Sequence, residues 1–97
     1  MPLTIRCSVR IKFKLNAKHG VSLDEVNECF INRNGRFLQD TRAEHITIPP
    51  TLWFIAETNH RRALKVVFVI EADNTITLKT AYTPNPKEQE IYAKYAQ

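Results

Sequence analysis

From Ala63 to Glu71 the chain is apolar almost throughout, and few folds accept such a segment. Its longest unbroken apolar run, Val66 to Ile70, is far shorter than the roughly 20 residues that a bilayer span requires. It reads instead as a central strand covered on both faces of a sheet. The turn that follows fixes its partner. With Ala72-Asp73-Asn74 as a three-residue loop and Asn74 left-handed, Glu71 pairs with Thr75, Ile70 with Ile76 and Phe68 with Leu78. The other face then carries Val69 with Thr77, Val67 with Lys79, and Lys65 with Ala81. A two-residue loop would set Phe68 against Lys79, a poorer pairing. The preferred register therefore places Lys65 and Lys79 on one face as diagonal neighbours.

The remaining elements follow from local signals. Ser22-Leu23-Asp24-Glu25 is a capping box, and Val26, Cys29 and Phe30 follow at helical spacing to about Arg33. Ser8 is a candidate N-cap for an earlier helix from Val9 to about His19, with Ile11 and Leu15 on one face. Val9, Ile11 and Phe13 alternate as a strand would, so a strand from Leu3 to Phe13 competes with that helix. Gly20 and Gly35 each follow a helix, where a left-handed residue suits Gly. Arg36 to Asp40 reads as a short edge strand, Thr41 to Ile48 as a polar loop, and Leu52 to Thr58 as a strand rich in large apolar residues. Pro49-Pro50 bars a central strand between them. Asn59-His60-Arg61 reads as a turn. Asn85, Pro86 and Glu88 open a last helix whose stripe of Glu88, Ile91, Tyr92 and Tyr95 should dock on the sheet. These signals predict an α+β fold: a small antiparallel sheet of about four strands, two N-terminal helices and one C-terminal helix. At 97 residues it is expected to be a single domain over residues 1–97.

Composition narrows the function classes. The N-terminus, Met1 to Cys7, lacks the apolar core and small-residue cleavage site of a secretory signal, so the expected compartment is the cytoplasm, with no membrane association. Cys7 and Cys29 have no CxxC spacing, and in a reducing compartment they read as packing residues. His19, His45 and His60 lie in separate elements without metal-ligand spacing, so neither metal nor cofactor is expected. No Walker loop, GxGxxG or GxSxG is present. Fourteen Lys and Arg against ten Asp and Glu give a net charge of +4, which favours an acidic partner such as RNA, provided the charge clusters.

The face carrying Lys65 and Lys79 is the leading candidate for such clustering. Metal-free RNA cleavage needs a base for the ribose 2′-hydroxyl, an acid for the leaving oxygen and cations for the phosphate. Lys65 and Lys79 suit the cations, and Tyr82 and His19 the proton transfers. Arg62, near the hairpin end, and Arg42 and His45, in the polar loop, are candidate RNA contacts. The plainer alternatives are solvated strand lysines, a His19 that only complements a helix C-terminus, and loop residues that only meet water.

Lys18-His19-Gly20-Val21-Ser22-Leu23-Asp24-Glu25 resembles the KHGVS-x-x-E helix junction of the BrnT-type toxins, which have the RelE-like ribonuclease fold. Thr80-Ala81-Tyr82 followed by Glu88 and Tyr92 is similar, at equal spacing, to that family's Ser-Ala-Arg followed by Glu and Tyr. The resemblance runs from Arg10 to Tyr92. Thr77 and Tyr82 stand where the family carries arginines, and Lys79 is the candidate replacement for the lost charge. The resemblance implies a RelE-like fold and a metal-independent endoribonuclease toxin. It also implies a small antitoxin, acidic in its toxin-binding segment, and promoter DNA contacted only through the toxin–antitoxin complex. A catalytically silent basic module that binds nucleic acid or protein is the alternative, favoured by the missing arginines.

Overall fold

The computed structural model describes residues 4–41 and 48–96. Among these, five strands, β1 (Ile5–Arg6), β2 (Leu38–Gln39), β3 (Thr51–Glu57), β4 (Ala63–Ile70) and β5 (Ile76–Tyr82), form one sheet in the order β1-β5-β4-β3-β2. The apolar β4 is central, as its composition requires. The α+β class holds, but the sheet is mixed and has a fifth strand: β1 runs parallel to β5, pairing Ile5 with Ile76 and Arg6 with Thr77. Both readings of the N-terminus thus capture a part. A short strand ends at Arg6, and Ser8 then caps a helix by accepting the Ile11 N–H at 3.1 Å.

That helix, α1 (Val9–Lys14), does not reach His19 as regular α structure. Leu15–His19 is a π turn, closed by Gly20 in the left-handed region at φ 61°. The alternation of Val9, Ile11 and Phe13 has a different cause from strand pairing. Ile11 points to the core, while Val9 and Phe13 lie 86% and 71% exposed on the outer side of the helix. The second helix, α2 (Leu23–Asn32), has the expected capping box. Ser22 Oγ accepts the Glu25 N–H at 3.2 Å, and Glu25 Oε1 accepts the Ser22 N–H at 3.0 Å. Gly35 is not left-handed; its role is space, since a Cβ there would lie 2.6 Å from the Tyr92 hydroxyl.

The core lies between one sheet face and the two N-terminal helices. Leu15, Val26, Cys29 and Phe30 from the helical layer meet Phe54, Leu64, Val66, Phe68 and Leu78 from the strands. Phe30, Phe37, Phe54 and Phe68 pack largely edge to face, with centroids 4.8–6.3 Å apart. Cys29 is a packing residue: burial pushes its thiol up to about 12, and its S–H donates to the Ala56 carbonyl.

The last helix, α3 (Pro86–Tyr95), lies across the opposite face. Asn85 Oδ1 accepts the Glu88 N–H and Glu88 Oε1 accepts the Asn85 N–H, the expected capping box. Its docking is lighter than the stripe predicts. Tyr92 stacks on Trp53 and donates to the Arg36 carbonyl, but Ile91 is exposed and Tyr95 is 56% exposed.

The β4–β5 hairpin starts in the expected register and then leaves it. Glu71 N–H donates to the Thr75 carbonyl, Asn74 is left-handed at φ 68°, and Ile70–Ile76, Val69–Thr77 and Phe68–Leu78 pair as read. A bulge between Val67 and Phe68 then shifts the ladder, so Val67 faces Thr80, Val66 faces Ala81 and Lys65 faces Tyr82. Side chains alternate with a period of two, so the extra residue on β5 separates Lys79 from Lys65. The shared lysine face expected from a regular hairpin does not form.

Candidate anion-binding site

Two local irregularities meet at one place. The π turn adds a residue to its helical turn and so changes the direction in which Lys18 and His19 project. The β5 bulge turns Lys79 away from Lys65 and towards that turn. Between them lies a recess of about 200 Å3 lined by Ile11, Lys14, Leu15, Lys18, His19, Lys79 and Thr80. Lys14, Lys18 and Lys79 are exposed and form no ion pair with any described residue. The recess lining contains no carboxylate. Three uncompensated ammonium groups and an imidazole around one concavity make a site for an anion, and low-dielectric walls of Ile11 and Leu15 strengthen its field.

His19 faces two ways. Besides lining the recess, its ring packs against Tyr82 with centroids 5.7 Å apart. Its backbone carbonyl is held by Arg62. The Arg62 guanidinium donates to the His19 carbonyl at 2.9 Å and the Gly20 carbonyl at 2.8 Å, and pairs with Glu25 at 3.2 Å. These carbonyls end the π turn and lack partners within it, so Arg62 caps it. The Ser22 N–H and the Arg62 guanidinium together outweigh desolvation and hold the Glu25 carboxyl below its ordinary value. Arg62, expected as an RNA contact, is therefore committed to holding His19 in place.

Lys65 is likewise engaged. Its side chain is 10% exposed, and Nζ lies 2.6 Å from Glu88 Oε2, to which the Tyr82 hydroxyl also donates at 2.8 Å. The ammonium also sits 4.6 Å from the Trp53 ring centroid and 5.7 Å from that of Tyr82. Burial pushes Glu88 up, but the Lys65 ammonium, the Asn85 N–H and the Tyr82 hydroxyl prevail, and the carboxyl lies below its ordinary value. Burial, then the Glu88 carboxylate, push the Tyr82 phenol up, so it keeps its proton at neutral pH. Beside this triad a cleft of about 580 Å3 opens between Trp53, Leu38 and Asp40 on one side and Ile91 and Tyr95 of α3 on the other.

The structure thus brings His19, Lys79, Tyr82, Lys65 and Arg62 into one neighbourhood, though not onto one sheet face. Arg42 and His45 lie outside the described residues. Lys14 and Lys18, not singled out from sequence, belong to the recess; their spacing of four on a basic helix was the available signal. Glu88 carried only a capping signal, and nothing local reveals that its other oxygen holds Lys65 and Tyr82. Among the described residues no three His, Cys, Asp or Glu side chains gather as a metal site, and no helix is long and apolar enough to cross a membrane. Compared with known proteins, the chain matches no family model and no curated sequence.

Proposed function

We propose that the protein is a metal-independent endoribonuclease, the toxin of a toxin–antitoxin pair acting in the cytoplasm. An RNA phosphate binds at Lys14, Lys18 and Lys79, and His19 is the proton-transferring group. The observation that carries this reading is the recess itself: a π turn and a bulge aim three unpaired lysines and His19 at one point. Departures from regular structure recur at functional sites, where they re-aim side chains. In the reaction His19 takes the 2′-hydroxyl proton, O2′ bonds to phosphorus and the bond to O5′ breaks. The lysines stabilise the charge on the phosphate oxygens. The leaving O5′ takes a proton from Tyr82, leaving a 2′,3′-cyclic phosphate and a 5′-hydroxyl. An acidic segment of the antitoxin fits the same recess, and promoter DNA is contacted through the antitoxin complex.

Induced expression with inspection of growth and total RNA tests this, alongside purified protein and RNA in the presence of a chelator. The expected result is growth arrest and fragments ending in cyclic phosphate. Both are lost in His19→Ala and in Lys18→Ala with Lys79→Ala, while the variants stay folded. Normal growth and intact RNA at good soluble yield of the wild type would sink the nuclease reading. One observation favours the silent binding module: Glu88 holds both Lys65 and the Tyr82 hydroxyl away from a ligand. Lysine-dependent RNA binding without cleavage would establish that alternative.

A further inference from the structure

Lys65 and Tyr82 converge on a single oxygen. An ammonium and a phenol at 2.6 Å and 2.8 Å from Glu88 Oε2 form a two-donor seat of the kind that holds a phosphate oxygen. The seat adjoins the cationic recess, because the Tyr82 ring that forms one side of it packs on His19. It is also too dry to stand empty. A lysine side chain with 10% exposure needs an anion beside it, so whatever displaces Glu88 must itself be an anion.

The helix that delivers Glu88 is lightly held. No side chain from Pro86 to Tyr95 is fully buried, and a cleft runs between α3 and the sheet beside Lys65. The firm anchors, Tyr92 on Trp53 and Ala96 accepting the Arg36 N–H, lie towards its C-terminal end. Near its start, Glu88 is the side chain that ties the helix to the strands, with Gln89 reaching only the neighbouring Pro84 carbonyl.

We propose that Lys65 and Tyr82 form a second phosphate seat, occupied by the Glu88 carboxylate in the free protein, and that a phosphate of the bound RNA strand displaces it. This rests on the RNA reading above and adds a regulation to the same site. Glu88 is an intramolecular competitor. Its departure frees one cation for the strand and frees the Tyr82 hydroxyl to protonate a leaving oxygen.

The test is a short single-stranded RNA titrated against wild type, Glu88→Gln, Glu90→Gln and Lys65→Met with Glu88→Gln. Gln keeps the helix cap, since it serves at that capping-box position as Glu does. Glu90→Gln makes the same change in net charge on an exposed part of the same helix. Glu88→Gln is expected to bind at least fivefold more tightly than Glu90→Gln. Its plot of log affinity against log salt should be steeper by about 0.7, the increment for one added contact on a single strand. The double variant should lose that gain. Equal binding by Glu88→Gln and Glu90→Gln would overturn the proposal. Should Glu88→Gln not fold, the wild type still decides: the indole N–H resonance of Trp53, beside the Lys65 ammonium, must shift on RNA saturation. A shift at His19 with none at Trp53 would count against the seat. The two proposals fail separately. Binding that depends on Lys79 but is indifferent to Glu88 removes only the second seat, whereas no RNA binding by any form removes both.

Discussion

Lys79 owes its position to one extra residue. In a regular ladder it would share a face with Lys65; with the bulge it faces Lys14, Lys18 and His19 instead. Its removal should therefore act on ligand binding and not on the core. Lys79→Ala is expected to leave thermal stability within about 0.5 kcal/mol of wild type, as for surface changes elsewhere. It should reduce the salt slope of RNA binding by about 0.7, measured by titration at several ionic strengths. Arg62 is the opposite case. Its charge-assisted bonds to the His19 and Gly20 carbonyls and to Glu25 predict a loss of about 2 kcal/mol in urea unfolding for Arg62→Ala. The same variant should move the His19 ring resonances, a readout that a remote stability defect would not give. Glu25 and Glu88 both have folded-state values below the ordinary 4.5. The stability they contribute is therefore complete above about pH 4.5 and lost as pH falls through their folded-state values. Glu88→Gln should flatten that acid limb of a stability–pH profile.

At the scale of elements, what the sequence predicts well is what depends on neighbours in the chain. Both capping boxes, the central strand, the turn at Asn74 and the first three pairs of the hairpin could all be read locally. The misses share a cause: each is decided by a partner far away in sequence. The parallel pairing of Ile5 with Ile76 leaves no local trace in a two-residue strand. The bulge places Lys79 beside the π turn, a packing that no hairpin rule contains. Gly35 looked like a second helix cap and proves to be the floor under Tyr92. Gly35→Ala is accordingly expected to cost about 1–3 kcal/mol by overpacking, with α3 rather than α2 loosened, as local hydrogen exchange would show. The candidate site was legible in its residue types but not in its geometry. His19, Lys79 and Tyr82 meet, while Lys65 and Arg62 are held by Glu88 and by backbone carbonyls.

For the molecule as a whole, the charge is distributed unevenly where it matters. A net charge of +4 would be unremarked if spread, but Lys14, Lys18 and Lys79 stand together with no acid lining their recess. Glu25 and Glu88 meanwhile face Arg62 and Lys65 on the inner side of the same region. The acids hold the frame and leave the outer lysines to the ligand, so affinity for polyanions should fall steeply with salt while stability barely changes. The topology also sets an order of events. Ile5 and Arg6 leave the ribosome long before Ile76 and Thr77, their only strand partners, and the π turn long before Lys79. A growing chain therefore carries its basic helix without the opposite wall of the recess. If the protein cuts RNA, the machine that synthesises it, itself built of RNA, meets the completed blade only after the last strand has been threaded out and folded home.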